Sequence, residues 1–492
     1  MALVINTNVS SLTSQRALAE SKGELNTAME RLSTGLKINT ASDDAAGLAM
    51  TQRMTAQVRG LSMAVKNAND GIAMTKSVEG AIGEVSDMLQ RMRELAIQAA
   101  NGTNSSADRT FLQNEVNLLI QEITRVSTNT RYNGELILDG TFLNKQLQVG
   151  IEEGEVINMS VESIAAENIG AHTDVGNGQE ATAAAKDPKV NPTTTNDDIE
   201  IFGFLGTKTV EASVEDTAKE TATKINNLTG LTGVKAYAKT YASLFSANAT
   251  LQTYSVKING YSTGNFVISS GDVQDAVDAI NQISGSTGVT AHSESNKVVL
   301  FDSDGDDITI ENGQTLAGHD KLRVQKMDET GLVAGAMGAT ITLAVSSATN
   351  TDATRVTGTL KLTSPNAFSV DGKSTTGYAD NGAKTATLKN LTQVNISTMI
   401  EAGDSISIID AALDKVAQMR ANLGAIENRL DYTITNLMNI GERTADSRSR
   451  LQDADYALES SRLAKAQVIQ QAGTQMLSQA NQMTQLVLDL LR

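Results

Sequence analysis

At both ends of this chain apolar residues return every seven positions, and that period constrains the fold more than any other feature. Leu18, Leu25 and Leu32 are seven apart near the start, with Met29 and Leu36 offset by four. Near the end Ile469, Met476, Met483 and Leu490 repeat the spacing, flanked by Ala472, Ala480 and Leu486. A period of 3.5 keeps one apolar stripe facing a partner helix. A helix of about 35 residues is a rod on the order of 50 Å long. One narrow stripe does not stabilise such a rod alone in water. Each end therefore needs a partner, and the opposite end is available.

Proline placement agrees. Pro188, Pro192 and Pro365 are the only prolines, and all lie in the middle. Proline costs about 3 kcal/mol inside a helix, so both flanks are free to form long helices. Val78, Ile82, Val85, Leu89, Met92, Ala96 and Ala99 step by four and three, as do Leu112, Val116, Leu119, Ile123 and Val126. Asn101-Gly102 between them reads as a helix stop and turn, which predicts a helical hairpin. A third helix is expected from about Ile409 through Leu413, Val416, Leu423, Ile426, Leu430 and Leu437. Asn133-Gly134 and Asp139-Gly140 around Leu136-Ile-Leu138 predict a β-hairpin.

The middle is rich in glycine and threonine, and Tyr254-Ser-Val-Lys-Ile258, Val298-Val-Leu-Phe301 and Ile308-Thr-Ile310 read as strands. It also holds a short repeat. Residues 225–236 and 280–291, at an offset of 55, are identical at seven of 12 positions. Each copy follows acidic residues, Glu215-Asp216 or Asp272, and leads into a strand-like stretch. Two copies are too few for a solenoid, so a duplicated β-α-β unit is expected.

Composition narrows the function. The net charge is −17, which excludes an ordinary nucleic-acid binder. Residues 176–404 hold 17 basic and 26 acidic residues, whereas residues 1–40 hold four and three. A near-neutral end suits burial and an acidic middle suits exposure. Aromatics are 3% and Trp is absent, so cohesion must come from aliphatic side chains spread over long surfaces. Without cysteine there is no disulfide, thiolate nucleophile or cysteine-bound zinc. That composition fits a cytosolic protein and equally an exported one stabilised by polymerisation. No run of about 18 apolar residues marks a membrane span. Met1–Asn8 has neither a basic nor a long apolar segment, so it does not read as a secretory signal peptide.

Several motifs together resemble bacterial flagellins. At the start these are Asn6-Thr-Asn8, Glu30-Arg-Leu-Ser-Thr-Gly-Leu-Lys-Ile-Asn39, Ala41-Ser-Asp-Asp-Ala-Ala-Gly-Leu48 and Gln90-Arg-Met-Arg-Glu-Leu-Ala96. At the end they are Ser449-Arg-Leu-Gln-Asp-Ala-Asp-Tyr456, Gln471-Ala-Gly-Thr-Gln-Met-Leu477 and Gln479-Ala-Asn-Gln482. The resemblance covers about 1–175 and 405–492, in family order; Met483-Thr484 departs from it where many relatives carry proline. It implies a structural subunit with no catalysis and no cofactor, secreted unfolded by the flagellar type III route and polymerised with other copies of itself into the extracellular flagellar filament for motility. It further implies flagellar cap and hook-filament junction proteins as partners, and an export chaperone on the C-terminal helix. Neither nucleic acid nor membrane is expected as a partner. A hook-filament junction protein, which shares the terminal heptads, is the alternative. A metalloprotease insert is disfavoured because no HExxH occurs.

The expected fold is mainly α at the termini, with long antiparallel coiled-coil helices and a helical core carrying a β-hairpin, and an inserted α+β, strand-rich variable surface region. The expected domains are 1–40 plus 456–492 as the innermost coiled-coil layer, 41–175 plus 405–455 as the helical core, and 176–404 as the outer region. That outer region is read as one domain or as two, at about 176–330 and 331–404.

Candidate sites are few. The polymerisation seam is read as Leu18, Leu25, Met29, Leu32, Leu36, Ile469, Met476, Met483 and Leu490. By resemblance, Arg91, Leu95 and Glu115 form the patch recognised by host Toll-like receptor 5, with Leu95 as apolar anchor. His172, His292 and His319 read as exposed loop residues rather than ligands. Asp302-Ser-Asp-Gly-Asp-Asp307 has calcium-like spacing, but its glycine stands fourth and no Glu closes it at position 12, so a turn is expected. Asp43-Asp44 reads as a helix N-cap or, less simply, as a charge pair across a subunit contact. Thr193-Thr-Thr195 and Ser374-Thr-Thr376 are candidates for O-glycosylation or plain polar surface.

Overall fold

A computed structural model describes residues 7–490 except 177, 179–180, 186–187, 247–249, 315–320, 333–334, 345–350 and 375–376, with backbone alone from 483 onward. His319, Thr375, Thr376, and the side chains of Met483 and Leu490 therefore lie outside the described residues.

The flanks are helical and the middle is strand-rich, which the proline distribution allows. The helices are α1 (Val9–Thr34), α2 (Ala45–Ala99), α3 (Ser106–Asn129), α4 (Ala218–Asn227), α5 (Thr229–Thr232), α6 (Gln274–Asn281), α7 (Ser284–Thr287), α8 (Met399–Gln452) and α9 (Tyr456–Leu490). Two compact units result. One comprises Met1–Lys76, Asn144–Met159 and Gly424–Arg492, the other Ser77–Leu143 and Ser160–Leu423.

In the first unit α1 packs along α9. Leu61 and Ala64 of α2 pack with Leu437 of α8, and Ala68 and Ile72 pack with Leu430. The hairpin of Lys145–Gln148 and Val156–Met159 adds Val149 and Ile157 to that second cluster.

In the second unit the stepped residues of α2 from Val78 to Ala99 are all fully buried, as are Val116 and Ile123 of α3 and Ile409 of α8. The α2–α3 turn is tied at both sides. Ser105 and Asp108 form a reciprocal cap on α3, and Arg109 Nε donates to the Ala99 carbonyl at 2.7 Å. The predicted β-hairpin is present between Arg131–Tyr132 and Glu135–Leu136. Its turn residues Asn133 and Gly134 have φ of 49° and 88°, which that sequence pair tolerates.

The middle is organised around an antiparallel sheet. Its strand order is Val289–Glu294, Lys297–Asp302, Lys235–Ser246, Thr359–Ser364, Gly170–Gly176 and Thr387–Asn390, with Leu322–Met327 also on Lys235–Ser246. Two large apolar cores form, beside a small cluster of Tyr241, Val299 and Met327. One gathers Ile199, Ile201, Ile225, Val234, Leu360, Leu362, Phe368 and Val370. The other gathers Leu244, Tyr254, Phe266, Ile280, Val298, Ile310 and Val356. The second is thus inserted within the sequence of the first rather than following it.

The repeat is structural. Helices α4 and α6 each continue through a short second helix and a left-handed glycine, Gly233 (φ 75°) or Gly288 (φ 76°), into a strand. In the first copy the Asn226 amide accepts from Ala236 N at 2.8 Å and donates to Ala236 O at 2.9 Å. In the second, Asn281 does the same to Ala291 at 2.7 and 2.9 Å. Each asparagine takes the place of a neighbouring strand at an open sheet edge. Asn226→Ala strands both groups of the buried Ala236. We expect a loss of about 1–3 kcal/mol in the urea-induced unfolding of the middle region, with α-helical flank signals unchanged.

Candidate functional site

The pairing of α1 with α9 interleaves leucines with small residues. On α1 a stripe withdrawn from solvent runs through Ser11, Ser14, Leu18, Ser21, Leu25, Ala28 and Leu32, stepping by three and four. On α9 they are Glu459, Leu463, Ala466, Gln470, Gly473, Leu477 and Ala480, stepping by four and three. The helices run antiparallel. Asn8 Nδ2 donates to Ala480 O at 3.0 Å, Ser21 Oγ to Ala466 O at 3.2 Å, and Arg31 Nη1 to Glu459 Oε1 at 3.3 Å. A Cβ added to Gly473 would lie 2.8 Å from Leu18 Cδ1. Side chain to carbonyl bonds between helices need such close approach.

Glu459 is the one acidic residue of this seam, and its side chain is only 5% exposed. Arg31 and Arg462 both donate to it, at 3.3 and 2.8 Å, so its charge is compensated. Beyond Arg31 the pair is closed by backbone. Gly35 caps α1 with φ 74°, Lys37 N donates to Gln452 O at 2.6 Å, and Ala454 N donates to Gly35 O at 2.9 Å.

The expected seam is therefore brought together in part. Leu18, Leu25 and Leu32 lie in it. Met29 does not, at 52% exposure; Ala28 takes that position. Leu36 lies past the end of α1, where it bridges Asp453. Ile469 and Met476 are 39% and 61% exposed, on a face of α9 other than the one against α1. With Val468 on α9 and Leu12 on α1 they leave apolar groups facing water. Hydropathy could not separate these two stripes, because the buried one contains serine, glycine and alanine.

Elsewhere Arg91 and Glu115 meet, with guanidinium to carboxylate at 2.9 Å, and both remain accessible. The Glu115 and Glu94 carboxylates raise the Arg91 pKa. Leu95, expected as an exposed anchor beside them, is instead 1% exposed and belongs to the core. Asp44 caps α2 through Gly47 N at 2.9 Å, and Asp43 accepts from Thr40 N at 2.9 Å, a bond that holds its carboxyl below the ordinary range. His172 and His292 sit in strands, not loops, and burial lowers the pKa of each.

The Asp302–Asp307 turn has its carboxylates engaged. The Lys219 ammonium bridges Asp304 and Asp306 at 3.1 and 2.8 Å, Arg355 pairs with Asp307 at 2.9 Å, and Asp302 accepts from Asp304 N at 2.9 Å. No cluster of metal-ligating side chains occurs among the described residues. Likewise no helix among them is long and apolar enough to cross a membrane.

Gly473 gives a direct test of the small-residue seam. Gly473→Ala is expected within about 1 kcal/mol of wild type, since Leu18 Cδ1 can swing and helix propensity improves. Gly473→Leu is expected to cost about 1–3 kcal/mol by overpacking, read as loss of amide exchange protection in α1 and α9.

Comparison with known proteins places this helical pair. The model of the bacterial flagellin N-terminal helical region matches residues 5–143, and that of the C-terminal helical region matches 406–491. Over the whole of both chains the protein is 37% identical to the B-type flagellin of Pseudomonas aeruginosa, 34% to a flagellin of Salmonella typhimurium and 33% to flagellin B of Vibrio cholerae. A solved structure of FliC from Burkholderia pseudomallei is 18% identical, covering 73% of this chain and 99% of that one with a TM-score of 0.29. Flagellar hook associated protein-3 from Legionella pneumophila is 13% identical, covering 81% and 98% with a TM-score of 0.35. Neither superposition is close enough to carry weight, but the full-length identity is decisive: the chain belongs to the flagellin family, the structural subunits of the bacterial flagellar filament.

Proposed function

We propose that the α1–α9 pair is the polymerisation device of this subunit and that it forms the innermost layer of the filament. The observation that carries this reading is the apolar stripe left in water on the assembled pair, above all Leu12, Met29, Val468, Ile469 and Met476. Exposed apolar surface of this extent on paired helices is characteristic of an unfilled protein interface. Neighbouring copies supply the missing faces, and repeated head-to-tail contacts that do not close generate an open helical polymer. The helical core of residues 41–175 and 405–455 surrounds that layer, and the acidic middle, 176–404, faces solvent outside the cell.

The same exposed stripe on α9 suits an export chaperone, which would take an amphipathic helix in an apolar groove before assembly. Cap and hook-filament junction proteins would meet the same terminal helices at the filament's two ends. Ile469→Asp together with Met476→Asp is expected to abolish filaments in electron micrographs while the far-ultraviolet helix signal is kept. Filaments of normal length from that variant would refute the assignment of the stripe.

For recognition by Toll-like receptor 5, the accessible Arg91–Glu115 pair supports polar contacts, and the buried position of Leu95 argues against an apolar anchor there. Arg91→Ala is expected to lower receptor-reporter activation by roughly tenfold, the loss of a charged hydrogen-bonded contact. Leu95→Ala should act chiefly through stability. Unchanged activation by the Arg91 variant would remove the receptor reading.

A further inference from the structure

The first copy of the repeat carries an apolar tip in water. Strands Ile199–Phe202 and Thr207–Val210 form a hairpin that turns through Gly203-Phe204-Leu205-Gly206, with Gly203 N donating to Gly206 O at 3.1 Å. The turn rests on α5. Leu205 N donates to Thr232 O at 3.5 Å, and the Phe204 ring covers Gly233, where a Cβ would strike it. Phe202, Phe204, Leu205 and Leu231 therefore gather at one end of the hairpin, none less than 39% exposed. None belongs to the core beneath.

The second copy repeats the arrangement with different chemistry. Its hairpin of Val256–Ile258 and Tyr261–Ser262 turns at Asn259-Gly260, and Asn259 Nδ2 donates to Thr287 O at 3.0 Å. At the offset of 55, Thr287 matches Thr232 and Ser286 matches Leu231. Polar Asn259 and Ser286 thus serve where the first copy has leucines. The hairpin closes on its helix without them, so folding of the unit does not call for apolar groups at Leu205 and Leu231.

Charge limits what can cover the tip. Residues 176–404 hold 17 basic and 26 acidic residues, so the middles of two copies repel. Residues 201–207 and 228–234 hold no charged residue, so contact there buries no unpaired charge. An apolar tip is also complementary to itself, the condition for an isologous contact between identical chains. Size decides the setting. A stable pair buries about 800 Å² on each partner through roughly 20–30 residues, more than this tip supplies. A filament presents the tip many times over, and contacts too weak singly hold when many are linked. Its own head-to-tail contacts include no two-fold, so an isologous contact joins different filaments.

We propose that the tip formed by Phe204, Leu205 and Leu231 is a self-association site, through which subunits of neighbouring filaments pair tip against tip. This rests on the reading that residues 176–404 face outward from the filament. Salt screens the repulsion between the acidic middles and leaves the apolar contact unscreened, so the pairing strengthens as ionic strength rises.

The chain has no cysteine, so a single introduced one reports its own neighbours. A disulfide needs Cβ atoms about 4 Å apart, and concentrated Leu205→Cys filaments under oxidation are expected to give about tenfold more linked dimer than Ser286→Cys filaments. Adding Leu231→Asp is expected to remove that excess. A dimer yield no higher than that of Ser286→Cys would overturn the proposal. In that case free maleimide labelling of Leu205→Cys would show a bare tip, and protection would show a tip covered by something other than its like. A dimer yield unchanged on diluting the filaments would place the pair inside one filament and overturn the link between filaments. Loss of filaments in Leu205→Cys would overturn it as well, by placing the tip among the filament's own contacts. Filaments of normal length keep the outward reading and confine any failure to the tip.

Discussion

Close packing of α1 on α9 is the constraint on which the assembly role rests. Two helices joined by large side chains sit about 8–10 Å apart. Here Ser11, Ser21 and Ala28 face a seam that holds Ala466, Gly473 and Ala480, and backbones draw near enough for Ser21 and Asn8 to bond carbonyls across the gap. Small residues alternate with leucines within the pair, and further large apolar side chains are left on its outside. Met29, Val468, Ile469 and Met476 are therefore available to something beyond the chain.

Register in such a pair is weakly specified by alanine and serine alone, since a slip of one heptad replaces small residues with small residues. The buried Glu459, held by Arg31 and Arg462, supplies what the small residues lack. A slip would part the carboxylate from Arg31 and leave only Arg462, on its own helix, to compensate a largely buried charge. The left-handed Gly35 and the backbone bonds from 35–37 to 452–454 fix the same register just beyond Arg31.

The middle follows a different economy of contacts. Its two large cores are apolar and closed, and each copy of the repeat satisfies an open strand edge with an asparagine amide. Toward α8 the same sheet presents Lys235, Lys239 and Lys361, which pair with Asp414 and Asp404, beside a small apolar cluster of Tyr241, Val299 and Met327.

Much of this was legible in the residues. The heptads at 18, 25 and 32, the four-three steps from Val78 to Ala99, and the proline-free flanks determined that the ends are long helices, because a 3.5 or 3.6 period has no other use at that length. The identical positions of the repeat determined that two like units exist, since the paired asparagines and left-handed glycines recur with it. Partnership was decided only by the tertiary structure. Hydropathy marks Ile469 and Met476 more strongly than Ala466 or Gly473, yet the weaker stripe is the one against α1. A stripe's strength measures its wish to leave water, whereas close approach is decided by side-chain size. In the same way Leu95 carried no sign of burial beyond its neighbours, and the lysines at 235, 239 and 361 gave no sign of the aspartates they meet, 43 to 179 positions away along the chain. Contacts between residues so distant in sequence exist only once the sheet and helix have been brought together.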